Sequence, residues 1–152
     1  MIISFDTAKA ILEAAQGAWA AGSVEGVLDK YVDDLVYITN TGGVCGQSLT
    51  INGKDDLRRR FTAAMTAVDS RTQIEAFRYE GGIARVRLSA IIRHRSTGHT
   101  LTCSLRQILS FRGYQIAKHE DFHDAPKMAA FWRLVGNPID PPRKTPEPDK
   151  AC

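Results

Sequence analysis

The sequence predicts an α+β domain, in which N-terminal helices pack on a sheet of consecutive antiparallel strands and a last helix closes the chain. Three observations predict it. Apolar residues recur at helical spacing over residues 8–19, 24–31, 57–65 and 128–135. They switch to alternation between 73 and 123, and the glycine signals Gly81-Gly82, Gly98 and Gly113 cut that stretch into hairpins.

The first helix is marked by Ala8, Ile11, Leu12, Ala15 and Trp19 on one face, and Gly22 ends it. Ser23 is a good N-cap for a short second helix with Val24, Val27, Leu28 and Tyr31 inward. Residues 35–40 read as a strand. The glycine-rich stretch 41–52 reads as a loop at the rim of a pocket. A third helix begins near Gly53, with Leu57, Phe61, Ala64 and Met65 on its apolar stripe and Asp55 and Asp56 in its dipole-favoured first turn. Strands follow over 73–80, 83–95, 101–111 and 114–123. Asp124 then caps a fourth helix that tolerates Pro126 in its first turn. The boundaries expected are one domain over residues 1–136 and an extended, proline-rich tail over 137–152 that has almost nothing to bury.

A length of 152 residues with 43% hydrophobic and 24% charged residues is ordinary globular composition, enough for one core. No apolar run approaches the ~18 residues of a membrane span. The start MIISFDTAKA carries an acid where a secretory signal has its basic end, so a cytoplasmic location is expected. Cys45, Cys103 and Cys152 show neither a disulfide framework nor metal-ligand spacing and read as free thiols. The net charge of +3 is mildly basic. Arg58-Arg59-Arg60 and the arginines at 85, 87, 93 and 95 lie near acids and are not interleaved with aromatic residues, so nucleic acid is not the expected partner. They read as the polar face of a helix and the outer face of a strand, and His94, near a strand end, reads as a surface residue.

The last strand carries the most suggestive chemistry. His119, Asp121 and His123 share one face by period two; Ile116, Lys118, Glu120 and Phe122 take the other. The cost of burying long charged side chains favours the His-Asp-His face inward. Neighbours two apart on a strand are ~6.6 Å apart, which suits a His and an Asp flanking one substrate group or sharing it through a water. A partly buried His beside a carboxylate suits acid/base work. The same residues also suit a hydrogen-bonded strand end without catalysis. The stretch spells H-E-x-x-H, but that zinc pattern needs a helix; on a strand the two histidines stand ~13 Å apart. No metal or cofactor is expected.

Three stretches, AWAAGSVEGVLDKYVDDLVYI, NGKDDLRRRF and YQIAKHEDFHDAPKMAAFW, together resemble the nuclear-transport-factor-2-like superfamily, and within it the SnoaL-like group. The resemblance implies a curved, largely antiparallel sheet wrapped around the N-terminal helices to form a conical pocket. It also implies a homodimer formed through the sheet and a small-molecule ligand. In such a pocket Trp19, Tyr37, Thr39, Asn40, Gln107 and His123 would bind substrate, with Trp19 equally at home in the core. Ketosteroid-isomerase positions are occupied by Thr39, Ala15 and Gln107, which lack the base and the proton donors. The epoxide-hydrolase triad is broken at Leu88, Ala90 and Ile92. The polyketide-cyclase acid/base matches Asp121.

Two function classes follow from this. One is a cofactor-independent acid/base enzyme (cyclase, isomerase, dehydratase or hydrolase type) using His119 and Asp121 on a small, largely apolar substrate. The other is a non-enzymatic ligand- or protein-binding module of the same fold. Steroid isomerase, epoxide hydrolase and zinc peptidase are disfavoured.

Overall fold

In the computed structural model, which describes residues 1–42 and 47–136, helix α1 (Phe5–Ala20) begins where Ser4 accepts a hydrogen bond from the Thr7 backbone N–H at 3.1 Å. It ends before Gly22, whose φ of +70° suits glycine. Helix α2 (Val24–Leu28) is capped the same way by Ser23. Strands β1 (Tyr31–Gly42) and β2 (Gln47–Asn52) lead into helix α3 (Lys54–Ala67). Strands β3 (Val68–Glu80), β4 (Ile83–His94), β5 (Thr100–Arg112) and β6 (Gln115–His123) follow, and α4 (Ala125–Val135), capped by Asp124, comes last. The expectations for Cys45, Cys152 and the tail 137–152 lie outside the described residues.

The strands form one six-stranded sheet in the order β2-β1-β6-β5-β4-β3, which is not closed. Four of its five pairings are antiparallel; β1 and β6 run parallel. That parallel pairing brings the first and last strands together inside the sheet, with β2 as the edge strand beside them. The core lies between the inner sheet face and the helices. Leu28, Leu35, Leu57, Leu88, Leu109 and Ile116 are its largest fully buried side chains, each stabilising the fold by about 1.5–3 kcal/mol.

The structure corrects the sequence reading at five places. Tyr31 opens β1 rather than ending α2, because strand pairing claims its segment: the Ile116 N–H donates to the Lys30 carbonyl, and the Gln115 amide donates to that of Tyr31. Residues 47–52 are a strand, not loop, held by antiparallel pairing of Ile51 with Tyr37 and Leu49 with Thr39. The third strand begins at Val68, directly after α3, five residues earlier than its alternation is apparent. His94 is buried, its ring bonded to Thr97 at 2.8 Å in the turn between β4 and β5. Ile116 is fully buried on the same side as His119, because the β5–β6 register skips Ala117 between Ser110↔Lys118 and Phe111↔Ile116. A β-bulge of this kind breaks period two.

Candidate functional site

The inner face of the sheet, helices α1 and α3 and the Met128 and Trp132 side chains of α4 line a cavity of about 280 Å3. Its lining is mainly apolar. Helix α1 contributes Leu12, Ala15 and Trp19 at helical spacing, and α3 contributes Phe61 and Ala64. Trp19 meets Phe61 edge to face at 4.8 Å, so it is wall and packing at once. Cys103 also lines the cavity; it is a free thiol whose pKa burial pushes up, which suits packing rather than nucleophilic attack.

The polar part of the lining is concentrated on β1, β5 and β6. Register explains why. On β6, His119 is paired with Tyr37 of β1 and Leu109 of β5, and Asp121 with Thr39 and Gln107. Both His119 and Asp121 are buried, whereas Lys118 and Phe122 of the opposite face are exposed. His119 and Asp121 do not stand apart around a shared group: His119 Nε2 lies 2.6 Å from Asp121 Oδ1. Tyr31 Oη lies 2.7 Å from His119 Nδ1. The Tyr37 hydroxyl donates to Asp121 Oδ2, and the Gln107 amide N–H donates to Oδ1 at 3.0 Å. His123 Nε2 stands 3.7 Å from Asp121 Oδ2.

The result is a continuous chain from Tyr31 through His119 to Asp121, with Tyr37 and Gln107 as further donors to the carboxylate. Burial opposes ionisation of Asp121, but the charge and hydrogen bond of His119, and those of His123, outweigh it and hold its carboxyl well below the usual range. Burial, reinforced by the Asp121 charge, pushes the phenols of Tyr31 and Tyr37 up, so both remain proton donors. A neutral His119 accepts from Tyr31 at Nδ1 and donates from Nε2 to Asp121; once protonated it donates at both nitrogens.

The remaining sequence candidates fall into place around this chain. Thr39 is buried in the lining, its hydroxyl 2.9 Å from that of Thr41. Gln107 and His123 line the cavity. Asn40 does not; its side-chain amide instead makes two hydrogen bonds, of 2.9 and 2.8 Å, to the backbone of His123 and so fixes that residue. Tyr31 was missed because helical spacing placed it among core residues; its proximity to His119, 88 positions away, has no local signature. Gln16 and Arg60, on the helix side, were also missed as lining. Among the described residues, no group of three or more His, Cys, Asp or Glu side chains is arranged to hold a metal, and the H-E-x-x-H stretch is a strand.

No protein-family model matches the chain, and no curated protein matches it. Solved structures do. An NTF2-like protein of unknown function from Burkholderia pseudomallei is 19% identical, with a TM-score of 0.72 over 88% of this chain and 99% of that one. An LEH-like epoxide hydrolase of M. tuberculosis is 16% identical, with a TM-score of 0.69 over 86% and 92%. A protein of ketosteroid-isomerase-like fold from Catenulispora acidiphila, solved with trimethylamine, is 14% identical, with a TM-score of 0.64 over 74% and 83%. At these identities the likeness is one of fold. The chain has the α+β cone fold of the NTF2-like proteins, as its three sequence stretches led one to expect.

Proposed function

We propose that this chain is a small-molecule-pocket protein performing cofactor-independent acid/base chemistry, with His119 and Asp121 as the proton-transfer pair. One observation carries the reading: a buried phenol–imidazole–carboxylate chain, Tyr31–His119–Asp121, whose three members all line one mainly apolar cavity. Its logic is that of a hydroxyl backed by an imidazole that a carboxylate orients. In the forward sense an acidic proton of the substrate passes to the Tyr31 oxygen while the Tyr31 proton passes to His119 Nδ1. The imidazolium so formed is stabilised by Asp121, which stays ionised. Reversal returns the proton, at the same substrate atom or another, as cyclisation, isomerisation and dehydration require. Tyr37 and Gln107 hold the Asp121 carboxylate in place, and Trp19, Thr39 and His123 contact the substrate.

A second reading has its own support. Both ring nitrogens of His119 and both oxygens of Asp121 are already bonded within the protein, which also suits a rigid, non-enzymatic binding module. Native mass spectrometry of the purified protein identifies a copurified small molecule, and proton NMR in D2O then follows exchange of that molecule's carbon-bound hydrogens. Exchange by the wild type that is abolished in Tyr31→Phe and His119→Gln supports acid/base chemistry; binding without exchange supports the module. Exchange undiminished in both variants removes the proton relay. The reading extends to a cytoplasmic homodimer joined through the outer sheet face, where Ile91 and Phe122 are exposed among arginines. Sedimentation of the wild type against Ile91→Glu tests that contact.

A further inference from the structure

The arginine run 58–60 divides when wound into α3, since consecutive helical residues point ~100° apart. Arg58 pairs with Glu25 at 2.6 Å and Asp55 at 2.8 Å, and Arg59 pairs with Asp56. Arg60 turns instead into the cavity wall, next to Phe61. Among the described residues it has no carboxylate within ion-pairing distance. The single acid in the cavity lining is Asp121, whose oxygens are taken by His119, Tyr37 and Gln107.

A second observation points the same way. Among the described residues four buried side-chain polar atoms have no hydrogen-bond partner: Gln16 Nε2, Arg60 Nε, Gln107 Oε1 and His123 Nδ1. All four residues line this one cavity. Buried polar groups are satisfied as a rule, so four exceptions around one space ask for a shared partner. They also sort by fold layer. The helices α1 and α3 present two N–H donors, from Gln16 and Arg60. The sheet presents His123 Nδ1 on β6 and an acceptor in Gln107, because the Asp121 carboxylate holds the Gln107 amide N–H toward itself and leaves Oε1 for the cavity. Between them the lining is mainly apolar. The volume of about 280 Å3 stands at the lower edge of the ~300–1,000 Å3 usual for ligand pockets.

We propose that the cavity takes a small, largely apolar organic acid, whose carboxylate is held by Arg60 and Gln16 and whose hydroxyl or enol donates to Gln107 Oε1. This rests on the pocket reading above and names its substrate class. The guanidinium supplies the charge-assisted hydrogen bond, and the carboxylate supplies the counter-ion that the cavity wall lacks. The opposite end of the ligand then lies against the sheet wall that carries Tyr31 and His119.

The test is ligand-observed NMR on the full chain with matched pairs of small aromatic and alicyclic carboxylic acids and their neutral carboxamides. The expected result is that the wild type binds acids at least tenfold tighter than the paired amides, and that Arg60→Gln abolishes this preference. Arg60→Lys, which keeps the charge but not the forked donor, retains part of it. Gln16→Leu, weakening acids more than amides, serves as an independent variant if Arg60→Gln fails to fold. Acids and amides binding equally to the wild type, or an acid preference that survives both Arg60→Gln and Gln16→Leu, overturns the carboxylate site and leaves the pocket intact. Binding of neither class overturns the pocket reading, and this inference with it.

Discussion

The two walls of the cavity handle polarity differently: the sheet wall carries a bonded network, and the helix wall, among the described residues, carries none. On the sheet wall, β1, β5 and β6 bring Tyr31, Tyr37, Gln107, His119 and Asp121 into a network around the Asp121 carboxylate, with Gln107 Oε1 and the nearby His123 Nδ1 left without a partner. On the helix wall, α1 and α3 leave Gln16 Nε2 and Arg60 Nε buried without one. A satisfied buried network makes a rigid, specific structure, because losing any member strands the others in a low-dielectric interior. An unsatisfied pair stabilises nothing by itself and favours whatever supplies its partner. The sheet wall is therefore the part of the site that the fold depends on most, and the helix wall the part whose free donors the proposed acid would engage.

That contrast breaks if the two walls respond alike to substitution. The largest effect is expected for Asp121→Asn, which removes the charge around which three donors are arranged. Breaking a buried charged network of this kind costs about 3–5 kcal/mol, readable as a shift of the urea unfolding midpoint. Next comes Tyr37→Phe, which removes a direct donor to Asp121 Oδ2. It should cost about 1–3 kcal/mol in the same assay, the desolvation penalty of one orphaned acceptor.

Acid and alkaline pH sharpen the comparison further. The folded Asp121 carboxyl lies below its ordinary value, so its contribution is fully present above about pH 4, near the unfolded carboxylate pKa, and is lost as pH falls toward the folded value. The folded phenols of Tyr31 and Tyr37 lie above theirs, so their contribution is complete below about pH 10 and is lost as pH rises beyond it. Unfolding measured across pH should lose part of its acid slope in Asp121→Asn and part of its alkaline slope in Tyr31→Phe. The smallest effect is expected on the helix wall. Arg60→Gln should leave the thermal midpoint unchanged or slightly raised, since it removes a partly buried charge without an ion-pair partner. A clear loss of stability there would mean that Arg60 supports the fold.

The elements were readable where a local rule governs them. Ser4, Ser23 and Asp124 cap helices because a side-chain oxygen next to free N–H groups does so in any context. Glycines 81, 82, 98 and 113 turn the chain with positive φ, which other residues rarely adopt. The inward face of His119 and Asp121 followed from the alternation of a strand and the cost of burying Lys118. What escaped were features set by distant partners. Strand β2 lacks a strong alternating pattern and exists because β1 lies beside it. The burial of Ile116 depends on a one-residue bulge against β5. His94 is enclosed by its own turn rather than left on the surface.

The sequence alone determined the α+β class, the order of nearly all the elements and the placing of His119, Asp121 and His123 on one side of the last strand. Each rests on spacing within a short window, which the backbone geometry of a helix or strand converts directly into direction. Only the tertiary structure decided that His119 and Asp121 bond to each other, that Tyr31 reaches His119, and that Arg60 parts from its two neighbours to line the cavity. Those outcomes depend on the parallel register of β1 against β6 and on how α3 is seated over the sheet. Register and seating follow from burying the whole apolar surface at once, and no short stretch of sequence carries that sum.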